Sequence, residues 1–134
     1  MKESVIVDEL QFHAEMVEAQ EVAYTPDFIV SGIYFGEGDP ERGGQHWNFT
    51  GCSADDDNEG VCIVKEIQEV TVYSGIDLFI LTRKSLTCNF NNETAKSTKT
   101  RRLLISYEIN DETWEAVVKQ SQKIFTGESY FHLQ

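Results

Sequence analysis

With 134 residues, 40% of them hydrophobic and 11% aromatic, the chain is long enough to bury the core of one ordinary domain, which excludes an intrinsically disordered polymer. Its net charge of −12, from 23 acids against 11 Lys and Arg, argues against nucleic acid as a partner, since that affinity comes largely from neutralising phosphates. No stretch approaches the roughly 20 apolar residues of a membrane span, and residues 1–8 lack the apolar core of a secretory signal; a cytoplasmic protein without a membrane partner is expected.

In chain order, Leu10, Phe12, Ala14 and Met16 alternate with Gln11, His13 and Glu15, the period of two of a half-buried strand. A polar stretch then leads to a turn at Thr25-Pro26-Asp27. Residues 28–35 are apolar on both alternating faces, which predicts a central strand covered on both sides, with Gly32 marking a bulge or a close backbone approach. Residues 36–44 carry four glycines, one proline and three acids and form a loop. A short strand with Trp47 and Phe49 follows, then a second, acidic loop at residues 55–60. Residues 61–64 and 67–73 read as extended, one strand bent near Lys65 and Glu66. A turn at Ser74-Gly75 leads into a strand at 76–81, a hairpin connection at 82–85 and a strand carrying Leu86, Cys88 and Phe90. Residues 91–100 read as a polar loop, and Leu103, Ile105, Tyr107 and Ile109 as the face of the last strand.

One helix is predicted after Asn110, a good N-cap followed by Asp111 and Glu112 at the positive end of the helix dipole. Trp114, Val117, Val118, Ser121, Ile124 and Phe125 share one stripe at helical spacing, and Gly127 suits the C′ position. The expected fold is α+β: one mainly antiparallel sheet of about six to seven strands with a single C-terminal helix packed on it. Residues 1–134 form one domain, with 1–8 and 128–134 as candidate flexible ends.

The charge is unevenly placed. Residues 1–60 hold 14 acids and 2 bases, a net of −12, whereas residues 61–134 hold 9 of each. Scattered charge would serve solubility equally well, but a one-sided negative field also raises the on-rate of a cationic partner. Lys96, Lys99, Arg101 and Arg102 form a small basic cluster that keeps a turn soluble and guards a strand start.

Chemistry-bearing patterns are few. Asp55, Asp57, Glu59 and Glu66 stand at the first, third, fifth and twelfth places of a calcium-loop series with Gly60 sixth, although the flanks read as strand rather than helix. The cysteines Cys52, Cys62 and Cys88 are odd in number and lack metal-type spacing, which suits free thiols in a reducing compartment. Of the histidines His13, His46 and His132, only His46 lies near a cysteine, Cys52, in sequence. No catalytic set is assigned and no cofactor is expected. Trp47, between the glycine-rich and acidic loops, is read either as core or as an interface anchor.

The order of these elements resembles the immunity protein 10 family of bacterial polymorphic toxin systems. The likeness rests on residues 59–125: an acidic loop closing on Gly60-Val61, the turn Tyr73-Ser74-Gly75-Ile76 (two glycines in the family pattern), Leu81-Thr82-Arg83 followed by Leu86, a strand ending at Ile109 and a helix closing on Ile124-Phe125. Residues 10–49, with Asp39-Pro40 in their loop, match more loosely. The resemblance implies a cytosolic protein, encoded beside a secreted or contact-delivered toxin, that binds and blocks that toxin's active domain. The sequence adds a candidate contact surface for a basic toxin: Glu37, Asp39 and Glu41 with Asp55, Asp56, Asp57 and Glu59, anchored by Trp47. Two alternatives stay open, a calcium-binding module built on residues 55–66 and a small enzyme.

Overall fold

The computed structural model describes residues 6–38, 44–52, 61–65 and 70–134. The elements in order are β1 (Val7–His13), β2 (Met16–Thr25), β3 (Phe28–Gly36), β4 (His46–Cys52), β5 (Cys62–Lys65), β6 (Val70–Tyr73), β7 (Ile76–Leu81), β8 (Ser85–Phe90), α1 (Asn92–Thr98), β9 (Thr100–Ser106), α2 (Asp111–Ile124) and β10 (Phe131–Leu133). The class is α+β and mostly β, but the strands divide into two sheets instead of one. Sheet A runs β1-β9-β8-β7-β10; sheet B runs β2-β3-β4-β5-β6. Among the described residues there are ten strands and two helices, against the expected six or seven strands and one helix.

Sheet B is an antiparallel meander in which every strand pairs with its sequence neighbour. Residues 61–73 therefore hold two strands of a hairpin, Cys62 opposite Tyr73 and Lys65 opposite Val70, and not one bent strand. In sheet A the outer strands close on the antiparallel β7-β8-β9 in parallel: β1 beside β9 and β10 beside β7. Residues 128–134 thus include a docked strand, and Gln134 N–H donates to the Leu81 carbonyl at 2.9 Å.

The two sheets meet through aromatic rings. Ile33, Phe35, Trp47, Phe49 and Ile63 line the inner face of sheet B and are fully buried. Phe49 meets Phe79 edge-on at 5.1 Å, Trp47 stacks on Phe90 at 5.6 Å, and Phe35 lies 5.5 Å from Tyr107. Such pairs add about 0.5–1.5 kcal/mol each beyond the area they bury. Helix α2 packs against β2, β3 and β4, and Val117, Ser121 and Ile124 are its buried face. Trp114 is only partly buried at the margin of this stripe. Phe125 carries the contact on to Phe79, 4.4 Å away, and stacks on Phe131 at 4.8 Å.

Two further segments depart from the sequence reading, and Gly32 takes one of its two expected roles. Residues 16–25 are a ten-residue strand at the edge of sheet B. Facing residues that alternation turns inward, β2 offers only Val17 and Ala19, partly buried, before Glu21, which pairs with Lys123 of α2; that pairing holds the Glu21 carboxyl below its usual range. Residues 92–98 are helix α1 rather than loop. The Asn91 side chain accepts from Thr94 N–H at 2.8 Å, and Thr94, Ala95 and Thr98 form its buried face. Two of those three are polar, so no apolar stripe betrays the helix. Gly32 marks no bulge; the register shift of this hairpin falls between Ala23 and Thr25. It is a close approach instead, since a Cβ there would lie 3.2 Å from Thr50 Cγ2.

Candidate functional site: the outer face of sheet B

Alternation along a strand sends neighbours to opposite faces. With Ile33, Phe35, Trp47, Phe49 and Ile63 turned inward, the register places Met16, Glu18, Gln20 and Val22 of β2, Val30, Gly32 and Tyr34 of β3, His46, Asn48 and Thr50 of β4, and Tyr73 of β6 on the other side. Seven large hydrophobic side chains are exposed among the described residues, and five of them, Met16, Val22, Tyr24, Phe28 and Tyr73, belong to sheet B. Three of these, Val22, Tyr24 and Phe28, fall together at the β2–β3 hairpin end, and grouped exposed apolar side chains mark interaction sites more often than scattered ones do.

At one end of this face Tyr34 reaches across to His46, its hydroxyl 2.6 Å from Nδ1, with the two rings nearly parallel. The phenol lies over Gly36, where any Cβ would strike the hydroxyl at 2.2 Å. Burial, with the Glu18 charge adding to it, pushes the Tyr34 phenol above its ordinary value. His46 is buried, so this pair is part of the sheet's packing.

At the opposite end lies the β2–β3 hairpin tip. Pro26 and Asp27 make the turn, and Asp27 N–H donates to Thr25 Oγ1 at 3.3 Å. Tyr24 and Phe28 flank the turn with ring centroids 5.6 Å apart. Tyr24 is 68% exposed, Phe28 40% and Val22 45%.

The sequence-derived surface fares unevenly. Trp47 is in the core, wholly buried, with Lys65 Nζ 5.4 Å from its ring centre and its Nε1–H donating to Gln45 Oε1; it is no interface anchor. Its neighbours in sequence are acids and glycines, but its place in β4 turns it between the sheets. Glu37 is half-buried, and its carboxylate accepts from Gln45 N–H at 3.0 Å while its own N–H donates to the Gln45 carbonyl, so it closes the neck of its loop. Asp39, Glu41, Asp55, Asp56, Asp57 and Glu59 lie outside the described residues. The strand ends from which their two loops leave, His46 and Cys52, are opposite ends of β4, roughly 20 Å apart at about 3.3 Å per residue.

The same distance separates the one Cys–His pair the sequence brought together, His46 and Cys52. Geometry supplies another pair instead: His13 Nδ1 lies 2.9 Å from Ser106 Oγ, because β1 and β9 run parallel with these residues in register. Separated by 93 positions, the two carry no local signal. Both are exposed on the outer face of sheet A, in a shallow trough shared with Gln11, Ser85, Thr87 and Leu104. Cys88 is buried in the core, and burial pushes its thiol well above the ordinary range, the reverse of what a nucleophile needs.

For the calcium reading, Asp55, Asp57, Glu59 and Glu66 all lie outside the described residues. Their surroundings are strands: β4 ends at Cys52, and the four residues before Glu66 are β5, paired on both sides. An EF-hand loop lies between helices and curls its twelfth ligand back towards the first; an extended β5 carries the chain away instead. Among the described residues no group of three or more His, Cys, Asp or Glu is placed to hold a metal ion, and no helix is long and apolar enough to cross a membrane.

Compared with known proteins, the chain matches no family model, no curated protein and no solved structure.

Proposed function

We propose that this chain is an immunity protein that binds and blocks a cognate bacterial toxin domain of basic character, with sheet B turned towards the toxin. The observation that carries the reading is how charge is divided along the chain. Residues 16–73, which supply every strand of sheet B, contain 12 acids and 2 bases, a net of −10; residues 74–134, which supply both helices and all of sheet A but β1, contain 7 acids and 8 bases, a net of +1. Charge kept only for solubility has no reason to be confined to one segment. A field concentrated on one side orients and accelerates a cationic partner before contact. The resemblance of residues 59–125 to immunity protein 10 supports the same reading, and nuclease-type toxins, which must hold phosphates, have the basic surfaces to answer it.

Calorimetric titration with the toxin domain encoded by the adjacent gene tests the proposal. A 1:1 complex of nanomolar dissociation constant that abolishes the toxin's activity is expected. No heat at micromolar concentrations, with toxin activity unchanged by excess protein, ends it.

A further inference from the structure

We infer that the β2–β3 hairpin tip is the apolar anchor of the interface, with Tyr24 and Phe28 entering an apolar cleft rimmed by lysine or arginine on the basic toxin domain. This rests on the binding function proposed above and adds which residues hold the complex together.

Three features of the tip point to this role. It gathers exposed aromatics: Tyr24 and Phe28 are two ring side chains at one turn, in contact with each other, with Val22 exposed on the same strand as Tyr24. Aromatic anchors dominate interface energetics, because they exclude much water for few rotatable bonds. The tip is also preformed. Pro26 fixes its backbone angle in the turn, and the register shift between Ala23 and Thr25 is a bulge of the kind that bends a strand and re-aims a side chain. Little ordering entropy then remains to be lost on binding. Finally, the tip carries Asp27 at its turn and belongs to the segment 16–73, with its 12 acids and 2 bases, so a cleft with a cationic rim is complementary to it.

The division of labour has a kinetic signature. Long-range charge acts on association, whereas buried apolar anchors act on dissociation. For the double variant Tyr24→Ala/Phe28→Ala, binding to the toxin domain should weaken by about 100-fold, as expected of two anchors, almost all of it in a faster dissociation rate. Its urea midpoint should fall only slightly, since Tyr24 is 68% and Phe28 40% exposed. The control is Val7→Ala/Leu133→Ala, which removes exposed apolar groups of sheet A and should bind as the native protein does. Binding of the tip variant within about threefold of native overturns the anchor while leaving the toxin-binding function standing. Failure of the native chain to bind removes both. Sedimentation of the free chain as a dimer that the tip variant dissolves would assign the tip to a second copy and overturn the inference as well.

Discussion

Replacing Trp47 by alanine is expected to cost about 3–5 kcal/mol of folding stability, the usual range for emptying a large aromatic site. The side chain is fully buried, stacked on Phe90, covered by Lys65 and hydrogen-bonded through its indole N–H to Gln45. One substitution therefore opens a cavity at the sheet–sheet interface and leaves a cation without its aromatic face. Domains of this size have only about 5–15 kcal/mol to lose, so the variant should be on the edge of unfolding at room temperature. The measurement is urea denaturation followed by circular dichroism, with the native slope retained and the midpoint strongly lowered. A midpoint shift worth less than about 1 kcal/mol, together with weaker toxin binding, would restore Trp47 to the surface.

Gly75→Ala is expected to cost about 2–5 kcal/mol for a different reason. Gly75 sits at φ +100°, where an L side chain is strained by about 1–3 kcal/mol, and a Cβ there would overlap Thr94 Oγ1 at 1.8 Å. Thr94 cannot move aside cheaply, because it is buried in α1 and its N–H is held by the Asn91 cap. Overpacking at such a site adds about 1–3 kcal/mol. Its neighbour Ser74, at φ +62°, makes the internal control: Ser74→Gly relieves strain and should be neutral or stabilising by up to about 1 kcal/mol. The same urea titration reads both. A Gly75→Ala midpoint indistinguishable from native would mean the turn adopts another conformation.

The contrast between these two positions shows what the sequence could reveal. Ser74-Gly75 was legible as a turn because its signal is local. The same holds for the α2 cap at Asn110, whose side chain accepts from Thr113 N–H at 2.8 Å, and for the Leu103 and Ile105 face of β9, buried as the alternation predicts. Trp47 was ambiguous because what decides its exposure, a second sheet carrying Phe90, comes from more than forty residues away. A strand facing a second sheet and a strand facing a helix have the same alternation, so periodicity alone could not divide ten strands into two sheets. β2 was missed because its inward positions are small or charged, α1 because its core face is threonine and alanine, and β10 because three residues hold no period.

The candidate site was legible in its charge and not in its shape. Counting acids separates the two halves of the chain, and all five strands of sheet B come from residues 16–73. The aromatic tip was passed over as a turn, since Tyr24 and Phe28 flanking Pro26 are as compatible with a buried hairpin as with an exposed one. His13 and Ser106 meet only through the parallel pairing of β1 with β9, which no short-range pattern encodes.

The central claim is that the acids of the sheet B span draw in a cationic protein, and the most direct measurement is the association rate with the toxin domain across ionic strength. We expect the native rate to fall more than about tenfold between roughly 10 mM and 0.5 M salt, as the screening length shrinks to a few ångströms. The triple variant Asp55→Lys/Asp57→Lys/Glu59→Lys should be about tenfold slower at the low end and converge with native at the high end. Two rate curves that superimpose and stay flat with salt would show that the charge plays no part in capture, and the account would be contradicted.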